Sequence, residues 1–270
     1  MAKTRPDRAQ NAGAKRVTVC EMPDDRSGFE EWWDRLRAHV KRAESRLVLL
    51  PEMPFAPWIF AGRRFSQAAW DRSMEEHGRW TERLHELGAA AAAGSRPVEA
   101  RGERFNEGFV WEAGGRVTGH HRKRYLPDQP GFYEAAWYSR GGRKVSTFEW
   151  EGWRAGFLIC SELWSPWNAR AYGKEGVELI LVPRATGLGV DKWLAGGRTA
   201  AVVSGAYCLS SNRSGGHGEA KFGGVGWVVG PDGEVLGVTS KDVPFITVGV
   251  VREKALQAKG TYPRDSFGSD

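Results

Sequence analysis

Apolar positions near the start of the chain alternate between strand-like and helix-like spacing. An apolar run over residues 17–20 predicts a short strand. The segment after it predicts a helix, because its large apolar residues recur three or four positions apart: Phe29, Trp32, Trp33, Leu36 and Val40. Ser27 and Glu30 offer a capping box at the start of this helix. Residues 46–50 read as a buried strand, so the chain opens with a β–α–β unit and a parallel strand pair.

The rest of the pattern adds more strands than helices. A second amphipathic helix is predicted from Ser66 to near Gly88, and strand pairs are predicted around Gly114-Gly115 and Glu151-Gly152. After residue 160 the pattern predicts a helix at 168–176, a strand at 177–183, a helix at 191–205, a strand at 206–213, a hairpin that turns at 231–233, and a strand at 245–251. Both parallel and antiparallel pairings are implied. This favours a layered α/β sandwich over a single doubly wound sheet.

Composition and length narrow the class of protein. The chain has 270 residues, with 41% hydrophobic and 27% charged, which is typical of a globular protein with a buried core. We expect one domain over 16–270 and a flexible lead-in over 1–15, because that lead-in is charged and lacks the apolar centre of a secretory signal. No apolar stretch approaches the roughly 18–20 residues of a membrane span.

Charge and cysteine usage bear on partners and compartment. Three cysteines form neither an even set nor a metal-ligand spacing, so a reducing cytoplasm fits best. The formal charge of +6 is compatible with nucleic-acid binding. Beyond the basic lead-in the charges are mixed in sign, which favours a solvated surface with neither a nucleic acid nor a membrane as partner.

Three polar residues share one kind of position. Glu52 follows the strand over 46–50, Lys123 follows the strand after Gly115, and Cys160 ends an apolar run. Ligands of open α/β sheets bind at the carboxyl ends of strands, so these three side chains could converge on one crevice. A thiol, a carboxylate and an ammonium suit acyl transfer: the thiol attacks, the carboxylate takes its proton, and the cation stabilises the oxyanion.

Other catalytic motifs do not fit. His120 and His121 are adjacent and lack partners at zinc-ligand spacing. The glycine-containing stretches over 187–192 and 223–230 lack the spacing of a dinucleotide loop, and no G-x-S-x-G occurs. The residues therefore give no support for a zinc site, a dinucleotide-binding loop or a serine hydrolase.

At the three candidate positions the chain resembles the nitrilase superfamily of carbon–nitrogen hydrolases, which are recognised by a Glu–Lys–Cys triad in that chain order. The matching segments are LVLLPEMPF around Glu52, HHRKRYLP around Lys123 and GFLICSELW around Cys160. Further agreement comes from ELILVPRAT, RTAAVVSGAYCLSSNRSG and GWVVGPDGEVL. The resemblance extends over residues 17–251.

The resemblance implies a four-layer α-β-β-α sandwich of two mixed sheets and no metal or cofactor. It also implies a homodimer or larger homo-oligomer, paired through outer helices. It implies that Cys160 is the nucleophile, Glu52 the general base and Lys123 the oxyanion stabiliser, through a thioester or thioimidate. Members of the family carry a second active-site glutamate after the lysine, which helps to orient the substrate or the lysine, and Glu134 matches its position. We interpret Glu162 as a structural hydrogen-bonding partner.

Elementary chemistry adds expectations about the thiol and its surroundings. A helix that begins near Cys160, together with Lys123, would favour the thiolate. The backbone N–H of Ser161, next to the nucleophile, is a candidate second oxyanion donor. Cys20 and Cys208 lie inside apolar strands and are expected to be packed structural thiols.

The substrate pocket is less defined. Trp58, Trp137 and Trp164 fall on the three segments that carry Glu52, Glu134 and Cys160. They could wall a pocket for a bulky or aromatic acyl group, or serve ordinary packing. Arg184 could hold a substrate carboxylate or pair with a local acid.

Three functions remain open at this point. The first is an amidase, including a carbamoyl-type variant, and the second is a true nitrilase. The substrate would then be a small-molecule amide or nitrile. The third is a non-catalytic or ammonia-channelling member, which the filled triad positions argue against.

Overall fold

The computed structural model of the protein describes residues 13–264 and residue 266. The lead-in predicted over 1–15 falls mainly outside the described residues, and the first strand begins at Lys15. The strands are β1 (Lys15–Pro23), β2 (Leu47–Leu49), β3 (Ala91–Ala100), β4 (Glu103–Glu112), β5 (Val117–Arg122), β6 (Thr147–Trp150), β7 (Trp153–Phe157), β8 (Leu179–Arg184), β9 (Tyr207–His217), β10 (Ala220–Gly223), β11 (Trp227–Val229), β12 (Val235–Val238) and β13 (Phe245–Val250). The α-helices are α1 (Phe29–Arg42), α2 (Gln67–Glu82), α3 (Pro166–Lys174), α4 (Val190–Ser204) and α5 (Arg252–Lys259).

The strands form one large mixed sheet system that joins two halves through β1. The central strand order is β5-β4-β3-β2-β1-β9-β8-β7-β6. Residues Lys15–Cys20 of β1 pair antiparallel with β13, while β2 runs parallel beside β1. The last three residues of β1, Glu21–Pro23, pair in parallel with β9. The α/β class with mixed pairing, predicted from the sequence, is confirmed.

Side chains alternate between two sides of each half, as the two-residue period of a strand requires. One side of both halves packs into a shared core that includes Val17, Leu49, Leu181 and Leu209. The opposite side of the β1–β4 half packs against α1 and α2, and the opposite side of the β8–β9 half packs against α3 and α4. The four-layer α-β-β-α order implied by the resemblance stays a prediction. Among the described residues, no helix is both long and apolar enough to cross a membrane.

Local rules account for several element ends. Ser66 caps α2, its side chain accepting from the Ala69 N–H at 3.3 Å. The left-handed Gly88 ends the 3-10 turn that follows this helix. Glu151 and Gly152 both have positive φ, at 46° and 82°, which is the twist that a tight two-residue hairpin turn needs.

Two local expectations fail. The capping box at Ser27 and Glu30 does not form, because Gly28 is the N-cap and the Ser27 hydroxyl donates to Asp25 at 2.9 Å instead. The sequence pattern also gives no sign of β3. Five consecutive alanines over 89–93 and a proline at position 97 are poor strand formers. Small side chains fit here because β3 is sandwiched between β2 and β4, where burial and pairing override propensity.

Candidate active site

Glu52 lies in the turn that leaves β2, and its side chain is completely buried. The turn is anchored by Arg213, a buried residue near the end of β9. The Arg213 guanidinium donates to the backbone oxygens of Glu52 (3.4 Å), Met53 and Ala56, and it pairs with Asp24. A buried cation that holds three carbonyl groups of one turn fixes the position of the carboxylate in that turn.

Lys123 directly follows β5, and its ammonium lies between two buried carboxylates. Its Nζ donates to Glu52 Oε1 at 2.7 Å and to both carboxylate oxygens of Glu134 at 2.7 Å. Lys123 and Glu52 are fully buried, and Glu134 is 1% exposed. Three acceptor oxygens from two carboxylates therefore hold the ammonium in place within the site.

The two oxygens of Glu52 have different surroundings. Oε1 accepts from Lys123 and from the side-chain amide of Asn106, each at 2.7 Å. Oε2 is buried and has no hydrogen-bond partner among the described residues. A carboxylate oxygen left in this state is the one available to accept a proton.

Cys160 lies at the turn between β7 and a 3-10 helix over Cys160–Trp164. Its φ of 50° is in the left-handed region, which is strained for a residue with a side chain. The Sγ atom is 3.8 Å from the backbone oxygen of Ala185. The thiol lines the same cavity as Glu134, which bonds to Lys123, so Cys160 lies at the edge of the ion cluster.

Glu162 ties the cysteine turn to the lysine segment. Its buried carboxylate accepts from the N–H groups of Ile159 and Arg124, at 2.8 and 2.9 Å, and contacts His121 Nε2 at 2.8 Å. The structural role expected for Glu162 matches these bonds.

The expectation of a favoured thiolate is wrong. Burial, followed by the negative charge of Glu52, raises the pKa of Cys160 well above its ordinary value, and Lys123 opposes the shift only in part. The helix after Cys160 is a five-residue 3-10 segment, too short for the dipole that was expected. The thiol therefore rests protonated beside a carboxylate that can accept its proton.

Two members of the ion cluster, Glu134 and Lys123, have raised pKa values. Burial and the neighbouring Glu52 raise the pKa of Glu134 to about 8. Burial alone would lower the pKa of Lys123, but the charges of Glu134 and Glu52 outweigh it and raise that pKa above its ordinary value.

The raised pKa of Glu134 predicts that the difference in stability between the parent and a Glu134→Gln variant changes with pH. The pKa of Glu134 rises from 4.5 to about 8 on folding, so the folded state binds the extra proton and stability falls as pH rises through that window. The Glu134→Gln variant lacks this titration. We expect its melting temperature to gain on the parent as pH rises from 5 to 9, by several degrees at the alkaline end, in thermal melts recorded across pH. Parallel melting curves at every pH would contradict the assignment.

Cys160 and Glu134 line the same cavity, of about 390 Å³. Its other walls include Ser161, Phe132, Trp164, Leu188, Lys192 and Trp193. The N–H of Ser161 belongs to the first turn of the 3-10 helix, where N–H groups lack a partner inside the helix. Its hydroxyl is turned away and donates to the backbone oxygen of Tyr125. The backbone N–H is the part of Ser161 suited to an oxyanion.

Three of the four predicted pocket residues lie elsewhere. Trp164 lines the cavity, but Trp58 and Trp137 do not. Both of the latter two are buried in one hydrophobic cluster, and their indole N–H groups bond to the backbone oxygens of Gly131 and Gly62 respectively. Their side chains serve packing.

Arg184 does not line the cavity either. Its guanidinium is 1% exposed and donates to Ser210 Oγ (2.5 Å), Thr186 Oγ1 (3.0 Å) and the backbone oxygen of Val225 (2.5 Å). Burial lowers its pKa to about 10. The predicted pairing with a local acid does not occur either, since these partners are two hydroxyl groups and a carbonyl.

Residues of the site that were missed from the sequence include Asn106, Lys192 and Trp193. Asn106 carried a usable signal, because an amide inside an apolar strand run is unusual and must find a buried partner. Lys192 and Trp193 lie at the start of α4 and gave no signal beyond helical spacing. Among the described residues, no group of three or more His, Cys, Asp or Glu side chains is placed to hold a metal ion.

Comparison with known proteins gives concordant matches. The family model for carbon-nitrogen hydrolases matches residues 16–258. The N-carbamoylputrescine amidase of Solanum tuberosum is 30% identical over 157 residues, which cover 51% of this chain and 51% of that protein. The Arabidopsis thaliana protein of the same name is 28% identical over 227 residues, covering 74% and 72%. The chain thus spans about half the length of the first of these relatives.

Two solved structures share the fold. A carbon-nitrogen hydrolase from Helicobacter pylori G27 superposes with a TM-score of 0.82 at 22% identity, covering 94% of each chain. An amidase from Nesterenkonia sp. superposes with a TM-score of 0.74 at 22% identity, covering 90% of this chain and 92% of that one.

Proposed function

This chain belongs to the carbon–nitrogen hydrolase family, and we propose that it is an amidase-type member that cleaves a small-molecule amide through a thioester on Cys160. The observation that carries the proposal is the buried cluster in which Lys123 Nζ lies 2.7 Å from both Glu52 and Glu134, beside a cysteine that lines a cavity. These are the groups that acyl transfer to a thiol requires.

The first step begins from a protonated thiol. As Cys160 Sγ attacks the carbonyl carbon, the thiol proton passes to Glu52, whose Oε2 has no other partner among the described residues. The electron pair of the C=O bond moves to oxygen, where Lys123 and the N–H of Ser161 stabilise the negative charge. A neutral thiol next to a carboxylate avoids the cost of holding a free thiolate in this buried place.

The second half returns the enzyme to its starting state. Collapse of the tetrahedral intermediate breaks the C–N bond, and Glu52 gives its proton to the departing nitrogen. Glu52 then takes a proton from water as the water oxygen attacks the thioester, and that proton returns to sulfur when the carboxylic acid leaves. Glu134 keeps Lys123 in place throughout, through the two hydrogen bonds it accepts.

A positioning role for Asn106 follows from the same cluster. Its amide occupies Glu52 Oε1 together with Lys123, which leaves Oε2 as the proton acceptor. We expect Asn106→Leu to lower kcat/KM by about 10- to 100-fold, the loss typical of a hydrogen bond to a charged group. Steady-state kinetics measure this, and thermal melts report whether the variant is folded. A folded variant with parental kcat/KM would show that Glu52 needs no such restraint.

An N-carbamoyl compound is the second candidate substrate. The plant relatives are named for hydrolysis of a carbamoyl compound, and the same attack on a carbamoyl carbon would release an amine and carbamate. A panel of matched amides, N-carbamoyl amines and nitriles, assayed for ammonia and acid release, separates the possibilities. We expect turnover of the amide or carbamoyl members. Turnover of nitriles alone would replace the proposal with a true nitrilase.

A further inference from the structure

In the cavity lined by Cys160 and Glu134, the charged side chain that is left to pair with a ligand is a cation. Its lining contains two charged side chains, Glu134 and Lys192. Both oxygens of Glu134 accept from Lys123, so this acid is already neutralised. Lys192 lies in the first turn of α4, is exposed, and forms no ion pair within residues 13–264. A ligand therefore finds a free cation at the cavity wall and no free anion.

Part of the remaining wall is apolar and aromatic. Trp164 and Trp193 lie with ring centroids 4.8 Å apart and ring planes at 49°. Trp164 is 44% exposed although it is a large apolar side chain, and Leu188 on the same wall is 71% exposed. Exposed apolar surface that lines a concave site is suited to cover an apolar part of a ligand.

We infer that the substrate has an apolar body that ends in a negatively charged group, and that Lys192 contacts this end. The inference rests on the proposed function, because it places the scissile carbonyl at Cys160. A substrate that ends in an ammonium would meet Lys192 with no counter-ion on the described wall. Carbamoylated diamines, such as the compound in the names of the plant relatives, end in such a group and are poor substrates on this view.

Lys192 is exposed, so solvent screens its charge and the preference is modest. The preference for a negatively charged substrate end is measured with three primary amides that have the same number of carbon atoms. They are hexanamide, adipic acid monoamide with its terminal carboxylate, and 6-aminohexanamide with its terminal ammonium. We expect kcat/KM to fall in the order carboxylate, methyl, ammonium, by about three- to tenfold at each step at low salt.

Variants assign the preference to one residue. Lys192→Met removes the charge while keeping the length of the side chain, and the three values of kcat/KM should become similar. Lys192→Glu should reverse the order. Lys254→Glu changes an exposed lysine on α5, outside the cavity lining, and is the matched control that should keep the parental order.

Binding affinities, measured apart from turnover, distinguish a failure of this inference from a failure of the proposed function. Affinities of the three amides for Cys160→Ser protein are measured by calorimetry. Tighter binding of the carboxylate without turnover by the parent supports the inference and overturns the proposed function. Equal turnover of all three by the parent supports the proposed function and overturns the inference. Absence of binding and turnover for every probe overturns both.

Discussion

Replacement of Cys160 by alanine is expected to lower kcat by roughly 10⁴-fold or more, because the step that forms the thioester then has no nucleophile. No other thiol can substitute. Cys20 and Cys208 are completely buried inside strands, and burial raises the pKa of Cys20 to about 12. The measurement is single-turnover hydrolysis of the best substrate in the panel.

The matched control removes a thiol that lies away from the cavity. Cys208→Ala also replaces a buried cysteine by alanine, on a strand that packs against α4. It should lose some stability but keep kcat within a few-fold of the parent. A Cys160→Ala protein that retained a tenth or more of parental kcat would rule out covalent catalysis at this position.

Removal of the Lys123 ammonium should have the second largest effect. In Lys123→Met, two buried carboxylates face each other without a cation, and breaking a buried pair in this way costs about 3–5 kcal/mol. Loss of an oxyanion-stabilising group lowers kcat by about 10²- to 10³-fold. We therefore expect a destabilised and nearly inactive protein, with the loss of stability growing as pH rises and the acids ionise.

A double variant separates the two effects of this substitution. Lys123→Met with Glu134→Gln removes the excess negative charge, so its free energy of unfolding should recover toward the parental value. Its activity should stay at the level of the single variant, because the cation is still absent. Chemical denaturation and steady-state kinetics measure the two quantities. Recovery of activity together with stability would show that Lys123 acts only in folding.

Alternation of apolar residues was enough to predict most of the strands and helices, since strand and helix periods follow directly from which face is buried. It failed where tertiary packing replaced local preference. In β3 the alanine-rich segment becomes a strand because β2 and β4 flank it. At α1 the expected capping box between Ser27 and Glu30 does not form, and the Ser27 hydroxyl donates to Asp25 instead.

The predicted cluster of Glu52, Lys123 and Glu134 is present. Glu52 and Lys123 each follow the end of a strand, and strand ends in such a sheet lie near one another. The motifs of the family gave the order of these residues along the chain. The walls of the cavity were harder to predict. Trp58 lies six positions after Glu52 and Arg184 ends β8, yet both side chains point into the core, where their polar atoms are satisfied. Which side of a turn a residue faces depends on distant segments, and a single sequence does not contain that information.

Mass spectrometry of the reaction intermediate tests the central claim most directly. The parent enzyme is mixed with a panel amide, quenched in acid within one turnover, digested and analysed. We predict that the peptide containing Cys160 gains the mass of the acyl group, and that the peptides with Cys20 and Cys208 remain unmodified. Amide hydrolysis with no adduct on Cys160 at any time before turnover ends, or with the acyl group on another residue, would contradict the account.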